Sequence, residues 1–148
     1  MNKSEALNFV NILKQTYPDA QCSLDFNTPF QLAVAVMLSA QCTDERVNKT
    51  TPILFKKCKT IDDFKNIDIN ELEDIIHPCG FYKNKAKNIK LCAKQVIENF
   101  NGELPHTMTE LLVLAGIGRK SANVIMLEAF GIVKTGKILH LDGDKKYA

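Results

Sequence analysis

Long apolar runs are absent from this sequence, which limits the kinds of protein it can be. The longest uninterrupted run, residues 32–38, is far shorter than the roughly 20 residues a membrane-spanning helix needs, so we expect no contact with a membrane. Residues 1–17 mix charged side chains among apolar ones and match neither a secretory signal nor a transit peptide. We therefore expect a cytoplasmic protein.

Closely spaced cysteines are also lacking. The five cysteines are odd in number and widely separated, and no two of them form a C-x-x-C pair. This pattern argues against a disulfide framework and against a zinc site. His77, His106 and His140 are equally dispersed along the chain. We expect reduced, mostly buried thiols and no metal site.

Charge of one sign does not dominate either. The net charge of +2 is too small to indicate a nucleic-acid partner, so any such case depends on where the charges lie. The chain has 148 residues, of which 45% are hydrophobic and 24% charged, as is usual for one soluble domain that buries a single core. Alternating strand patterns are hard to find, whereas helical periodicity recurs throughout. The fold class we expect is all-α.

Helix start and stop signals divide the chain into short helices. Thr28 followed by Pro29 predicts the start of a helix over residues 30–40 that is apolar on nearly every side. Thr43 predicts the cap of the next helix, which Pro52 should kink or split. Further signals predict an amphipathic helix over residues 7–17, a helical turn over 61–64, a capping box of Asn70 with Glu73, a helix over 84–99, a capping box of Thr107 with Glu110 and a helix over 120–130.

The segment LAGIGRKSAN at residues 114–123 joins the last two of these helices through a Gly-x-Gly turn. Gly116 and Gly118 make positive φ available and leave no Cβ in the way of an approaching surface. The helix that follows directs its free N–H groups and positive dipole end at an anion, and Arg119 adds charge beside them. A DNA phosphate fits this geometry, although a bare Gly-x-Gly is more often a plain connection between helices.

Three motifs follow one another along the chain: LSAQCTD at residues 38–44, GFYKNKA at 80–86 and LAGIGRKSAN at 114–123. Together they resemble the endonuclease III family of DNA glycosylases with apurinic/apyrimidinic lyase activity, with Ala115 in place of the family's usual proline. The resemblance implies a six-helix domain over residues 21–131 with a helix-hairpin-helix at about 108–130. It also implies base excision of oxidised pyrimidines by a monomer whose partner is duplex DNA containing damaged bases or abasic sites.

The resemblance also implies roles for single residues. Lys120 matches the lysine nucleophile of the family and lies at a predicted helix N-terminus beside Arg119. Gln41 matches the residue that fills the gap left by a flipped base, and Phe81 matches a second, apolar wedge. For Phe81 a place in the core is an equally good interpretation. Gly116, Ile117, Gly118 and Arg119 match the hairpin that binds DNA.

A run of lysines follows the second motif, at positions 83, 85, 87, 90 and 94. A solvated helix face explains most such runs. Some of these lysines could screen DNA phosphates, and none of them is predicted to be a site residue.

The resemblance ends after Gly131. The family's catalytic aspartate falls on Ile138 here, and the nearest carboxylates, Asp142 and Asp144, come later in the chain. Residues 132–148 therefore suggest a non-family tail, as a frameshift, a premature stop or an artificial end of the chain would give. The family's cysteine ligands for a 4Fe–4S cluster are also missing, so we expect no cofactor, and the helix in residues 1–20 would have lost the cluster domain on which it packs. Catalysis should be impaired, and the alternative is a non-catalytic DNA-binding helix-hairpin-helix module.

Overall fold

The computed structural model describes residues 24–131. The predicted N-terminal helix in residues 1–20 and the predicted tail over 132–148, which includes Ile138, Asp142 and Asp144, lie outside the described residues. Between Leu24 and Gly131 the chain forms helices, turns and loops, without any β-strand. The all-α fold class is confirmed.

Seven α-helices and one short 3₁₀ helix follow one another in this part of the chain. They are α1 (Pro29–Ser39), α2 (Asp44–Lys57), α3 (Ile61–Asn66), α4 (Ile69–Ile76), the 3₁₀ helix His77–Cys79, α5 (Tyr82–Asn99), α6 (Met108–Leu111) and α7 (Arg119–Phe130). No helix within residues 24–131 is long and apolar enough to cross a membrane.

Side-chain caps set where several of these helices begin. The hydroxyl of Thr28 accepts a hydrogen bond from the Gln31 N–H (3.1 Å), and the hydroxyl of Thr43 accepts one from the Arg46 N–H (3.2 Å), so both predicted caps are confirmed. Pro52 was predicted to kink or split the following helix, and the split is excluded because α2 continues past Pro52 to Lys57.

The cap predicted at Asn70 is wrong as well. The carboxylate of Asp68 accepts hydrogen bonds from the N–H groups of Asn70 (3.0 Å) and Glu71 (3.2 Å), so α4 begins earlier than expected. Asp68 has extended backbone angles that suit a cap, whereas Asn70 already lies inside the helix. The turn predicted around residue 61 is the two-turn helix α3.

Helix α1 lies at the centre of the fold. Its residues from Leu32 to Leu38 are all buried, as the apolar character of this segment predicted. It packs against α2, α5 and α7, while α5 also packs against α3 and α4. Helices α1 and α5 therefore connect the other helices to one another. The loops at the ends of α1 and α5 are fixed by this packing.

Candidate nucleic-acid interface

The helix-hairpin-helix consists of α6, the turn 112–118 and α7. The predicted cap is present, since the Thr107 hydroxyl accepts from the Glu110 N–H (3.2 Å), but α6 ends at Leu111 after a single turn. Gln95 of α5 fastens the turn through both ends of its side-chain amide. Its oxygen accepts from the Ala115 N–H (2.7 Å) and its nitrogen donates to the Val113 carbonyl (3.3 Å). No sequence pattern predicts this contact.

Two of the four predicted hairpin residues fix the turn from inside. The side chain of Ile117 is buried in the core, so this residue presents only backbone to the surface. Gly116 has φ 78°, a left-handed value that favours glycine. A Cβ on Gly116 would lie 2.5 Å from Cε of Met37 and 3.1 Å from Cβ of Asn88. Gly116 is thus the point where the hairpin packs closely on α1 and α5.

Gly118 and Arg119 instead face outward. Gly118 has φ −97°, which any residue can adopt, so of the two glycines only Gly116 uses the positive φ that the pair makes available. A Cβ on Gly118 would meet nothing within 4 Å, which leaves an open approach to the start of α7. The first hydrogen bond of α7 runs from the Ala122 N–H to the Gly118 carbonyl (2.8 Å). The N–H groups of residues 119–121 precede it and point to the side from which an anion would bind.

Lys120 lies at the second position of α7, and its side chain is exposed, as is that of Arg119. Both cations are therefore beside the free N–H groups of the same helix terminus. This cluster of positive charge and backbone donors is suited to a phosphate group. An exposed lysine at this position can reach a reactive group on a molecule bound there.

Gln41 and Phe81 share an unusual backbone conformation. Gln41 follows α1 with φ 55°, and Phe81 precedes α5 with φ 45°. Both are left-handed backbone conformations that residues other than glycine rarely adopt. Both side chains are exposed, Phe81 to 65%. The core interpretation of Phe81 is therefore excluded. Left-handed non-glycine residues cost free energy and concentrate at binding and active sites.

A buried lysine joins the loops that carry these two residues. The ammonium group of Lys85 donates to the carbonyls of Leu38 (2.9 Å), Ala40 (2.8 Å) and Cys79 (2.9 Å). The first two carbonyls end α1 just before Gln41, and the third lies just before Gly80 and Phe81. Desolvation by burial lowers the pKa of Lys85. Lys85 is a functional candidate that sequence reasoning missed, because it was grouped with the solvated lysines.

Lys90 is a second lysine of this run that does not lie on a solvated helix face. Its ammonium group donates to the carbonyls of Lys65 (3.0 Å) and Ile67, where α3 ends. The ammonium groups of Lys85 and Lys90 thus donate to backbone carbonyls of the protein. Lys83, Lys87 and Lys94 are exposed.

The three loops lie side by side at one part of the surface. Gly116 in the hairpin packs on Met37, near the end of α1, and on Asn88, one turn beyond Lys85 in α5. Lys85 in turn joins the end of α1 to the start of α5. The hairpin, the Gln41 loop and the Phe81 loop are therefore neighbours, and together they define what we call the three-loop surface.

The described residues do not fit an iron–sulfur cluster. No group of three or more His, Cys, Asp or Glu side chains that could hold a metal ion occurs among residues 24–131. Cys42, Cys58, Cys79 and Cys92 are free thiols, and the last three are buried. Burial raises the pKa of Cys58 to about 11 and that of Cys92 to about 12.

Comparison with known proteins identifies a matching family and several relatives. The family model described as HhH-GPD superfamily base excision DNA repair protein matches residues 34–144. Endonuclease III of Synechocystis sp. is 51% identical over 131 residues, which cover 88% of this chain and 60% of that protein. Endonuclease III of Bacillus subtilis is 44% identical and covers 85% of this chain and 58% of that protein. The chain thus spans about three fifths of the length of these relatives.

Solved structures agree with the sequence relatives. A non-covalent endonuclease III–DNA complex superimposes with a TM-score of 0.77 at 40% identity, covering 95% of this chain and 66% of the other. A trapped endonuclease III–DNA covalent intermediate gives 0.75 at 42% identity, covering 89% and 62%. The sequence and fold resemble those of endonuclease III, and the chain belongs to the HhH-GPD superfamily of base excision DNA repair proteins.

Proposed function

We propose that this chain acts on duplex DNA that contains damaged bases or abasic sites, as a DNA glycosylase with apurinic/apyrimidinic lyase activity on oxidised pyrimidines. The observation that carries the proposal is the exposed Lys120 at the N-terminus of α7, on a hairpin next to the loops of Gln41 and Phe81. The similar solved structures are of endonuclease III with DNA, one of them as a covalent intermediate. The chain would act as a monomer in the cytoplasm.

Lys120 supplies the nucleophile in this proposal. Its Nζ bonds to C1′ of the sugar as the bond from C1′ to the base breaks, and the base leaves with a proton. Opening of the sugar ring gives an imine between Nζ and C1′. Loss of a C2′ proton then expels the 3′ phosphate and cuts the strand, and water releases the lysine. The free N–H groups at the start of α7 and the Arg119 side chain hold a backbone phosphate close to this centre.

Gln41 and Phe81 would open the duplex for Lys120. A target base must leave the stack before an enzyme can reach C1′, and extrusion costs a few kcal/mol. Exposed side chains at the tips of two fixed loops can enter the stack and occupy the space of the extruded nucleotide. In this proposal Gln41 fills the gap and Phe81 lies against the unpaired partner base.

Ile138 stands where the family has its catalytic aspartate, so we expect a low rate of base excision. Removing a well-placed electrostatic group typically costs about 10²–10³ in rate, and base excision needs such a group to stabilise positive charge that develops on the sugar. An abasic site needs no base expelled, because its aldehyde condenses directly with an amine. We therefore expect slow nicking at abasic sites with little release of oxidised pyrimidines.

Strand nicking of a labelled duplex with one abasic site tests this proposal. The parent chain should nick the strand slowly, Lys120→Ala should not nick it, and Lys94→Ala, which removes an exposed lysine of α5, should behave as the parent. Nicking by Lys120→Ala at the parent rate would contradict the role of Lys120. Binding of the duplex without any nicking by the parent chain would favour the alternative, a non-catalytic DNA-binding module.

A further inference from the structure

Lys85 is the most unusual buried group in the described part of the chain. Its ammonium group is taken out of water, with only 7% of the residue exposed, and it faces three carbonyl oxygens at distances of 2.8–2.9 Å. Burying a charge is costly unless hydrogen bonds compensate for the lost water, and here all three N–H groups of the ammonium have an acceptor. A leucine or methionine could fill the same space at lower cost, so filling space does not explain a lysine here.

The three acceptors belong to two separate segments. Leu38 and Ala40 are 47 and 45 residues before Lys85, whereas Cys79 is only six residues before it. The residue after the Ala40 carbonyl is Gln41, and the Cys79 carbonyl is followed by Gly80 and Phe81. Gly80, Phe81 and Gln41 all have positive φ. A single ammonium group therefore holds the two strained loops of the three-loop surface at a fixed separation.

We infer that Lys85 is a positioning residue that sets the separation and orientation of Gln41 and Phe81, so that both side chains enter the duplex together when a nucleotide is extruded. This inference rests on the proposed function. Lys85 contacts neither DNA nor the reacting atoms in this account. It acts through the carbonyls that precede the two side chains, and without it each loop can relax to an ordinary backbone conformation and release its strain.

Lys90 provides a matched control for Lys85. It lies on the same helix, and its ammonium group also donates to two carbonyls, those of Lys65 and Ile67 at the end of α3. Neither of these carbonyls belongs to the three-loop surface. Lys85→Met and Lys90→Met remove the same chemical group, so a difference between them reports on the position of the loops and not on the loss of a buried or half-buried cation.

The test uses duplex DNA with 2-aminopurine beside a reduced abasic site that cannot react. Stacking quenches 2-aminopurine, so its fluorescence rises when the neighbouring nucleotide is extruded and the stack opens. We expect Lys85→Met to lower the equilibrium constant for opening, measured at saturating protein, by roughly tenfold or more, since charged hydrogen bonds are lost at the loops. Lys90→Met should give the fluorescence rise of the parent chain. An unchanged rise in Lys85→Met, or an equal loss in both variants, would overturn the inference.

Lys85→Arg covers the case in which Lys85→Met does not fold. The guanidinium keeps the charge and the donors, but its planar fork cannot direct three N–H groups from one atom at three carbonyls. We expect a folded variant with a fluorescence rise smaller than that of the parent, and a rise equal to the parent's would overturn the inference. A parent chain that binds the duplex without any rise would instead refute the proposed function, and the inference with it.

Discussion

Replacing Gly116 by alanine should destabilise the fold far more than the same change at Gly118. At Gly116 the left-handed backbone costs a residue with a Cβ about 1–2 kcal/mol. The new Cβ would also lie 2.5 Å from the methyl group of Met37 and 3.1 Å from Cβ of Asn88. The Met37 methyl can move aside, but Cβ of Asn88 is fixed to α5, and overpacking of this kind costs about 1–3 kcal/mol. Together these effects predict a loss of about 2–5 kcal/mol for Gly116→Ala.

Gly118→Ala is the matched control for that change. Its φ of −97° suits any residue, and its Cβ would meet nothing within 4 Å. Because Gly118 is the N-cap of α7, where alanine is less favourable than glycine, we expect Gly118→Ala to cost at most about 1 kcal/mol. Urea unfolding followed by circular dichroism measures both free energies of unfolding. Equal stabilities for the two variants would refute the assignment of Gly116 to packing and Gly118 to the open surface.

Three further predictions concern DNA binding, cofactor content and pH. Binding to duplex DNA should be weak, with a shallow dependence on salt because few phosphates are contacted. Gly118→Val should weaken this binding while the variant remains folded; unchanged affinity would show that the hairpin is not the contact. The purified chain should contain no iron by metal analysis, and stoichiometric iron and sulfide would contradict this. Because burial raises the pKa of Cys92 to about 12 from its ordinary 9.0, the unfolded chain ionises first, so stability should fall as pH rises from about 9 towards 12. Urea midpoints across this range should fall less steeply for Cys92→Ala; equal slopes would contradict this cause.

Local sequence signals predicted much of the fold. Thr28 and Thr43 cap helices where expected, because a capping hydroxyl and the N–H it binds are close in sequence. The apolar residues 32–38 predicted a central helix for the same local reason. The prediction that Asn70 caps α4 was wrong because two side chains close in sequence could both serve as the cap. Asp68 is the cap because it has the extended backbone angles that a cap needs.

Contacts between distant residues could not be predicted in the same way. Lys85 looks like any other lysine in a basic run, and its burial depends on carbonyls of α1 that are more than 40 residues away. Gln95 holds the hairpin through backbone groups 18 and 20 residues later. The exposure of Phe81 follows from its left-handed backbone at the start of α5, which periodicity does not report. Sequence motifs thus single out three loops as candidates, and the structure shows that Lys85 and Gln95 hold them in place.

The central claim is that Lys120 is the amine that reacts with DNA. Borohydride reduction during incubation with an abasic duplex measures this directly, because it converts the imine between an amine and the C1′ aldehyde into a stable bond. Digestion of the product and mass spectrometry of the peptides then locate the modified residue. We predict a single DNA adduct on Lys120, which is lost in Lys120→Ala and retained in Lys94→Ala. An adduct on another lysine, or undiminished trapping by Lys120→Ala, would contradict it.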